Sequence, residues 1–87
     1  MKKTIIITGT SSGIGFSLAE YFGKQGHIVY GLSRKKTDSK LFTSIPTDIT
    51  EKSQIDRAIE EILSKENHID ILINNAGMGM VGAVEDS

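Results

Sequence analysis

Apolar positions along this chain follow two rhythms in alternation. Lys3 to Thr8 contains the unbroken β-branched run Ile5-Ile6-Ile7 and ends at a glycine, which predicts a short strand buried on both faces. From Gly13 the spacing changes. Ile14, Leu18 and Phe22 recur every fourth position with Ala19 beside them, and this predicts a helix to about Gln25 with one apolar stripe. Gly26 is placed to stop it at C′, where the chain turns left-handed, while Gly23 in the last turn weakens it. His27 to Ser33 supplies β-formers for a second strand, Arg34 to Lys40 is a polar, basic loop or short frayed helix, and Leu41 to Pro46 is a weaker third strand. Thr50 is expected to cap a second helix with Glu51 in its first turn. That helix has the clearest stripe of the chain, Ile55, Ala58, Ile59, Ile62 and Leu63. Ile69 to Asn74 predicts a fourth strand, Asn75-Ala76-Gly77 a turn, and Met78 to Ser87, without periodicity, a loop.

Strands alternating with helices imply right-handed βαβ crossovers and an α/β fold, a doubly wound parallel sheet of about four strands in the order 3-2-1-4. Strands 1 and 4 then carry their C-terminal ends to one crevice at the topological switch point, where such sheets bind ligands. A fourth strand at the end of the sheet exposes Ile71, Leu72 and Ile73 along an unpaired edge, so self-association is expected through that edge.

Composition narrows the partners. Eighty-seven residues make one small domain with a thin core, and 38% hydrophobic with 24% charged residues is ordinary for a folded protein. The net charge of −1 gives no reason to expect nucleic acid or an anionic membrane. The absence of cysteine excludes disulfides and thiolate metal sites. Lys2 and Lys3 precede only a short apolar run, too short for a signal peptide or a membrane span, so a cytoplasmic protein is expected.

The chemistry begins at Thr8-Gly9-Thr10-Ser11-Ser12-Gly13-Ile14-Gly15. Glycines and small hydroxyl residues between a strand and a helix let the backbone turn sharply and approach an anion. The helix start then aims unpaired N–H groups and the positive dipole end at that anion. No Gly-Lys-Ser/Thr follows, so this is not the nucleoside-triphosphate P-loop.

Together with Asn74-Asn75-Ala76-Gly77, the turn resembles the short-chain dehydrogenase/reductase family, through a Thr-Gly-x-x-x-Gly-Ile-Gly turn and an Asn-Asn-Ala-Gly motif in the right order. The glycine spacing of nucleotide-sugar epimerases differs. The resemblance covers the whole chain and implies a Rossmann-like fold, with residues 1–87 as the N-terminal part of an NADP-binding domain. It implies that Gly9, Ser11, Ser12, Gly13, Ile14 and Gly15 surround the pyrophosphate and adjacent ribose of a dinucleotide cofactor. By the same resemblance Asp48 and Ile49 hold the adenine, and Asn75, Ala76 and Gly77 line the adenosine ribose and brace the sheet. From the residues alone, an Asp before a Thr also serves as a helix-entry cap.

The end of the second strand bears on which nicotinamide cofactor binds. An NAD enzyme places a carboxylate there for the ribose 2′-OH, whereas here Ser33 is followed by Arg34, Lys35 and Lys36. A guanidinium at Arg34 pairs with a 2′-phosphate and Ser33 can donate to it, which favours NADP(H) over NAD(H); Lys35 and Lys36 read as solvated.

The family's reaction, as the resemblance implies it, interconverts a carbonyl and an alcohol by hydride transfer, with a serine and a Tyr-x-x-x-Lys pair moving the proton. Tyr21 is followed four residues later by Gln25 and Tyr30 by Arg34, so no catalytic residue is assigned. The catalytic half is expected to be absent and the chain inactive alone. The alternative is a nucleotide-binding or oligomeric remnant of the fold without chemistry. His27, His68, Met78 and Met80 read as solvated turn and loop residues.

Overall fold

The strand with the three isoleucines sits at the centre of the sheet. The computed structural model describes residues 2–11, 13–75 and 83–85. In chain order the elements are β1 (Thr4–Thr8), α1 (Gly13–Lys24), β2 (Ile28–Ser33), β3 (Thr43–Pro46), α2 (Lys52–Glu66), β4 (Ile71–Ile73) and β5 (Ala83–Glu85). The sheet order is β3-β2-β1-β4-β5, so the expected parallel 3-2-1-4 arrangement is present. All five residues of β1 are buried, because β2 and β4 pair with it on either side and a helix covers each face.

Alternation along β1 divides the core into two layers. Ile5 and Ile7 point to the α1 side with Val29, Phe42 and Ile73, while Ile6 points to the α2 side with Tyr30, Leu32 and Ile62. The two helices therefore sandwich a single sheet, the doubly wound α/β architecture.

Four local expectations need correcting. The buried face of α1 is centred on Gly15 and Ala19 with Phe16, Leu18 and Phe22 packed alongside, whereas Ile14 is 69% exposed. The helix approaches the sheet so closely that its smallest residues must face inward. Leu63 likewise lies outside the α2 stripe, of which Ala58 and Ile62 are the buried members. Glu51, not Thr50, is the N-cap of α2 and makes no side-chain capping bond; the Thr50 hydroxyl donates to Asp48 Oδ1 at 2.6 Å instead.

The fourth correction concerns the C-terminal stretch and the sheet edge. Part of the expected loop is β5, antiparallel to β4 with Leu72 opposite Val84. The edge of β4 is therefore paired within the chain, which removes the unpaired edge on which self-association was expected. Met78 and Met80 lie outside the described residues.

Helix ends follow the chemistry of their residues. Gly26 adopts φ +92° as expected of C′, and the N–H groups of Gly26 and His27 donate to the carbonyls of Gly23 and Phe22 at 3.0 and 3.2 Å, a Schellman closure. Asn67, at φ 72°, ends α2 in the same left-handed region. His27 is not merely solvated, because its Nδ1 accepts from the Lys3 N–H at 3.1 Å. His68 pairs through Nε2 with Asp70 at 3.1 Å, and Asp70 Oδ2 also accepts from the Thr4 N–H at 2.8 Å. That backbone bond is the main reason the Asp70 carboxyl sits below the usual carboxylate range.

Tyr30 ties β2 to the end of α2 by donating from its hydroxyl to Glu66 Oε2 at 2.6 Å. Burial, with the Glu66 carboxylate second, pushes its phenol up to about 12. A pKa raised on folding contributes stability that is present below the ordinary phenol value of 10.0 and is lost as pH rises from there through about 12. Tyr30→Phe is expected to lower neutral-pH stability by about 1–2 kcal/mol and to flatten that alkaline loss, measured by urea denaturation between neutral pH and strong alkali. An alkaline profile identical to the wild type would contradict the assignment.

Candidate cofactor-binding site

The crevice between β1 and β4 is assembled from side chains that bond across the switch point. Thr8, the last residue of β1, donates from its hydroxyl to Asn74 Oδ1 at 3.0 Å and accepts from the Asn75 N–H at 3.0 Å. Asn75 Nδ2 then donates to the Gly9 carbonyl at 3.3 Å, and the Gly9 N–H donates to the Leu32 carbonyl of β2 at 2.8 Å. Thr8 with Asn74 and Asn75 thus locks the turn after β1 to the end of β4, and the Gly9 N–H ties it to the end of β2. Thr8 was not singled out as a site residue from the sequence; its signal was a hydroxyl at a strand end directly before the glycine turn.

The glycines have separable duties. Gly9 and Gly13 take φ of +73° and +66°, which makes the turn sharp. Among the described residues, apart from its chain neighbours and the helix backbone, no atom lies within 4 Å of the place a Gly13 Cβ would occupy, which leaves room for a ligand on that side of the turn. Gly15 has a helical φ and a different reason. A Cβ there would overlap the Gly9 carbonyl oxygen and stand 2.6 Å from Asn75 Nδ2. The absent side chain at Gly15 lets the start of α1 approach Gly9 and Asn75, and the first N–H groups of the helix have no intrahelical acceptors. The buried Thr10 hydroxyl has no hydrogen-bond partner among the described residues and lies against Gly31. A narrow turn with an open outer side and a helix N-terminus behind it fits the pyrophosphate of a dinucleotide.

Beside the turn, an apolar hollow of about 350 Å³ lies at the C-terminal ends of β1, β2 and β4. Leu32, Ile49, Ile59 and Leu72 line it together with Thr8 and Asn74. Asp48, next to Ile49, is held in a tight turn. Its Oδ1 accepts from the Thr50 hydroxyl and from the Thr50 N–H at 3.0 Å, and the Asp48 N–H donates to Gln54 Oε1 at 2.8 Å. The Thr50 hydroxyl first, its N–H next, and Arg34 last hold the Asp48 carboxyl below its ordinary range, so it is ionised at neutral pH. Arg34 Nε stands 3.7 Å from Asp48 Oδ1. Ser33 is buried and its hydroxyl donates to the Lys35 carbonyl at 2.7 Å.

The sequence pattern of the short chain dehydrogenase family matches residues 3–87. The chain belongs to this family. It is 45% identical over 84 residues to a 3-ketodihydrosphingosine reductase of Bacteroides thetaiotaomicron, covering 95% of this chain and 31% of that protein. Its fold is similar to the ligand-free aldohexose dehydrogenase of Thermoplasma acidophilum, with a TM-score of 0.83 and 36% identity over 88% of this chain and 30% of the other. It is also similar to a 3-ketoacyl-(acyl-carrier-protein) reductase of Brucella melitensis complexed with NADH, with a TM-score of 0.73 and 32% identity, covering 80% and 32%. The chain therefore spans about a third of the length of these relatives.

Membership of the short chain dehydrogenase family implies a nicotinamide dinucleotide as cofactor, and the expected site residues fall into two groups. Gly9, Ser11, Gly13, Gly15 and Asn75 converge on the turn, with Ile14 exposed at the start of α1. Ser33, Arg34, Asp48 and Ile49 gather at the C-terminal ends of β2 and β3. Ser12, Ala76 and Gly77 lie outside the described residues. Among the described residues no cluster of His, Asp and Glu could hold a metal, and no helix is long and apolar enough to cross a membrane.

Proposed function

We propose that residues 1–87 are the cofactor-binding N-terminal part of an NADP(H)-dependent reductase that interconverts a carbonyl and an alcohol. The observation that carries the choice of cofactor is Arg34 at the end of β2, held beside Asp48, where an NAD enzyme has a carboxylate for the 2′-OH. A similar reductase is complexed with NADH, so kinship alone leaves the choice open, and the residues at this position are what support NADP(H). The Ser33 hydroxyl is engaged by Lys35, which leaves Arg34 as the principal partner of a 2′-phosphate.

In this reading the turn from Gly9 through Ser11, Ser12 and Gly13 to Ile14 and Gly15 receives the pyrophosphate and the adjacent ribose. Asp48 and Ile49 receive the adenine, and Asn75, Ala76 and Gly77 the adenosine ribose. When bound, the nicotinamide supplies or accepts the hydride. The roles of the chain itself are to bind and orient the cofactor. A cytoplasmic location belongs to the same reading. Self-association through the β4 edge does not belong to it, since β5 fills that edge.

Equilibrium titration with NADPH and NADH tests the proposal. The wild type is expected to bind NADPH at least about tenfold more tightly, the strength of one hydrogen bond to a charged group. Arg34→Ala is expected to abolish that difference while leaving NADH affinity nearly unchanged. Equal dissociation constants for the two cofactors in the wild type would overturn the choice of NADP(H).

A further inference from the structure

The carboxylate of Asp48 is fixed by the Thr50 hydroxyl and N–H, and its backbone by its own N–H on Gln54 Oε1, independently of any ligand. The guanidinium of Arg34 is different. Its side chain is 74% exposed, and Asp48 Oδ1 at 3.7 Å is its ion-pair partner among the described residues. A long solvated side chain would otherwise sample many rotamers, and an anion would have to order it on binding.

The geometry of the pair leaves one edge of the guanidinium available. A guanidinium offers its donors in a rigid planar fork, and a tetrahedral anion can be met along the Nε side or end-on by the two Nη groups. The ion pair is made through Nε, which leaves the end-on pair of Nη groups outside it. We propose that Asp48 is a positioning residue for Arg34, holding it by Nε so that the Nη groups meet the 2′-phosphate of NADP(H). This rests on the reading of Arg34 as the phosphate partner, and it gives Asp48 a second role besides any contact with adenine.

The carboxylate also carries a negative charge towards a site for a phosphate dianion, and the two effects have opposite signs. Oδ1 already shares its charge with two Thr50 donors, and its contact with Arg34 is at Nε rather than at the Nη groups offered to the anion. Positioning is therefore the larger effect.

The test is a set of NADPH and NADH titrations on the wild type, R34A, D48N and the double variant. Asparagine keeps an Oδ1 for Thr50, so the turn survives and the charge alone is lost. Positioning predicts that D48N lowers the NADPH-to-NADH affinity ratio by about threefold, the size an exposed ion pair supports, and changes nothing further in the R34A background. An unchanged ratio in D48N would confine Asp48 to the adenine, and an increased ratio would make it a competitor of the phosphate; either result overturns the proposal. A wild type with no preference for NADPH, unaffected by R34A, sinks the NADP(H) reading itself and the positioning role with it. Loss of the preference in R34A but not in D48N sinks the positioning role alone.

Discussion

Replacement of Gly15 by alanine is expected to destabilise the fold by about 3 kcal/mol and to abolish dinucleotide binding, although the residue is helical and alanine is the better helix former. Helix propensity alone predicts the opposite sign, a gain of about 0.5–1 kcal/mol. The steric argument prevails because the new Cβ would overlap a backbone carbonyl, that of Gly9, and would press on Asn75 Nδ2. The carbonyl is backbone, and the Asn75 amide, although the end of a side chain, is held to that same carbonyl by its hydrogen bond. Relief requires moving α1 off the sheet or breaking the Asn75 bond to Gly9 that ties the turn to the end of β4. In a domain of this size such a loss lowers the melting temperature by roughly 12–24 °C, at about 4–8 °C per kcal/mol. Gly13→Ala is the control. Its Cβ meets no neighbour within 4 Å among the described residues beyond its own stretch of chain, so the variant bears only the strain of a left-handed alanine, about 1–2 kcal/mol, and should fold. Thermal and urea denaturation followed by circular dichroism rank the two. A Gly15→Ala protein as stable as the wild type, or more stable than Gly13→Ala, would show that the helix start does not need this close approach.

Much of that arrangement could be read from the chain before its fold was known. The Ile5-Ile6-Ile7 run, the glycine turn and the α2 stripe each have one physical solution, and together they dictate a parallel sheet with β1 and β4 adjacent. The Gly26 closure was equally legible, since it depends only on residues within one turn of the helix end. What could not be read depends on distance. Periodicity places Ile14 in the apolar stripe, whereas a backbone contact at Gly15 decides which face turns inward. β5 has three residues and no period of its own, and its pairing exists only because β4 offers an edge.

The candidate site divides in the same way. The residue types of the turn and of Arg34 announce anion binding, but the bond from Asn75 to Gly9 joins residues 66 positions apart. The Ser33 hydroxyl shows the limit most plainly. It was available on paper to a phosphate, and in the fold it is engaged by a carbonyl two residues away. Local bonds of that kind compete with ligands for the same donor, and residue type does not reveal which acceptor is nearer.

Gly23 carries the second large prediction, again with the sign reversed between sequence and structure. Glycine in the last turn of α1 reads as a defect that alanine would repair, with a gain of about 1 kcal/mol. In the fold a Cβ at this position would overlap the Leu41 carbonyl oxygen and stand 2.9 Å from the Leu41 Cβ. The loop there is bound to the helix and to itself. Ser39 donates to Glu20 Oε2 at 3.2 Å, and the Leu41 N–H donates to the Ser39 hydroxyl oxygen at 3.1 Å. Phe42, directly after it, is buried against the α1 layer of the core. Alanine at 23 must therefore push away a loop whose next residue is a core anchor, and a loss of about 2 kcal/mol is expected, smaller than at Gly15 because loop backbone can shift. Urea denaturation gives the sign directly. Amide exchange at Leu41 gives the location, since displacement of the loop breaks its bond to Ser39 and speeds exchange there before global unfolding. A stabilised Gly23→Ala protein with Leu41 exchange unchanged would mean that the loop yields without cost and that this glycine is the plain helix defect its position suggests.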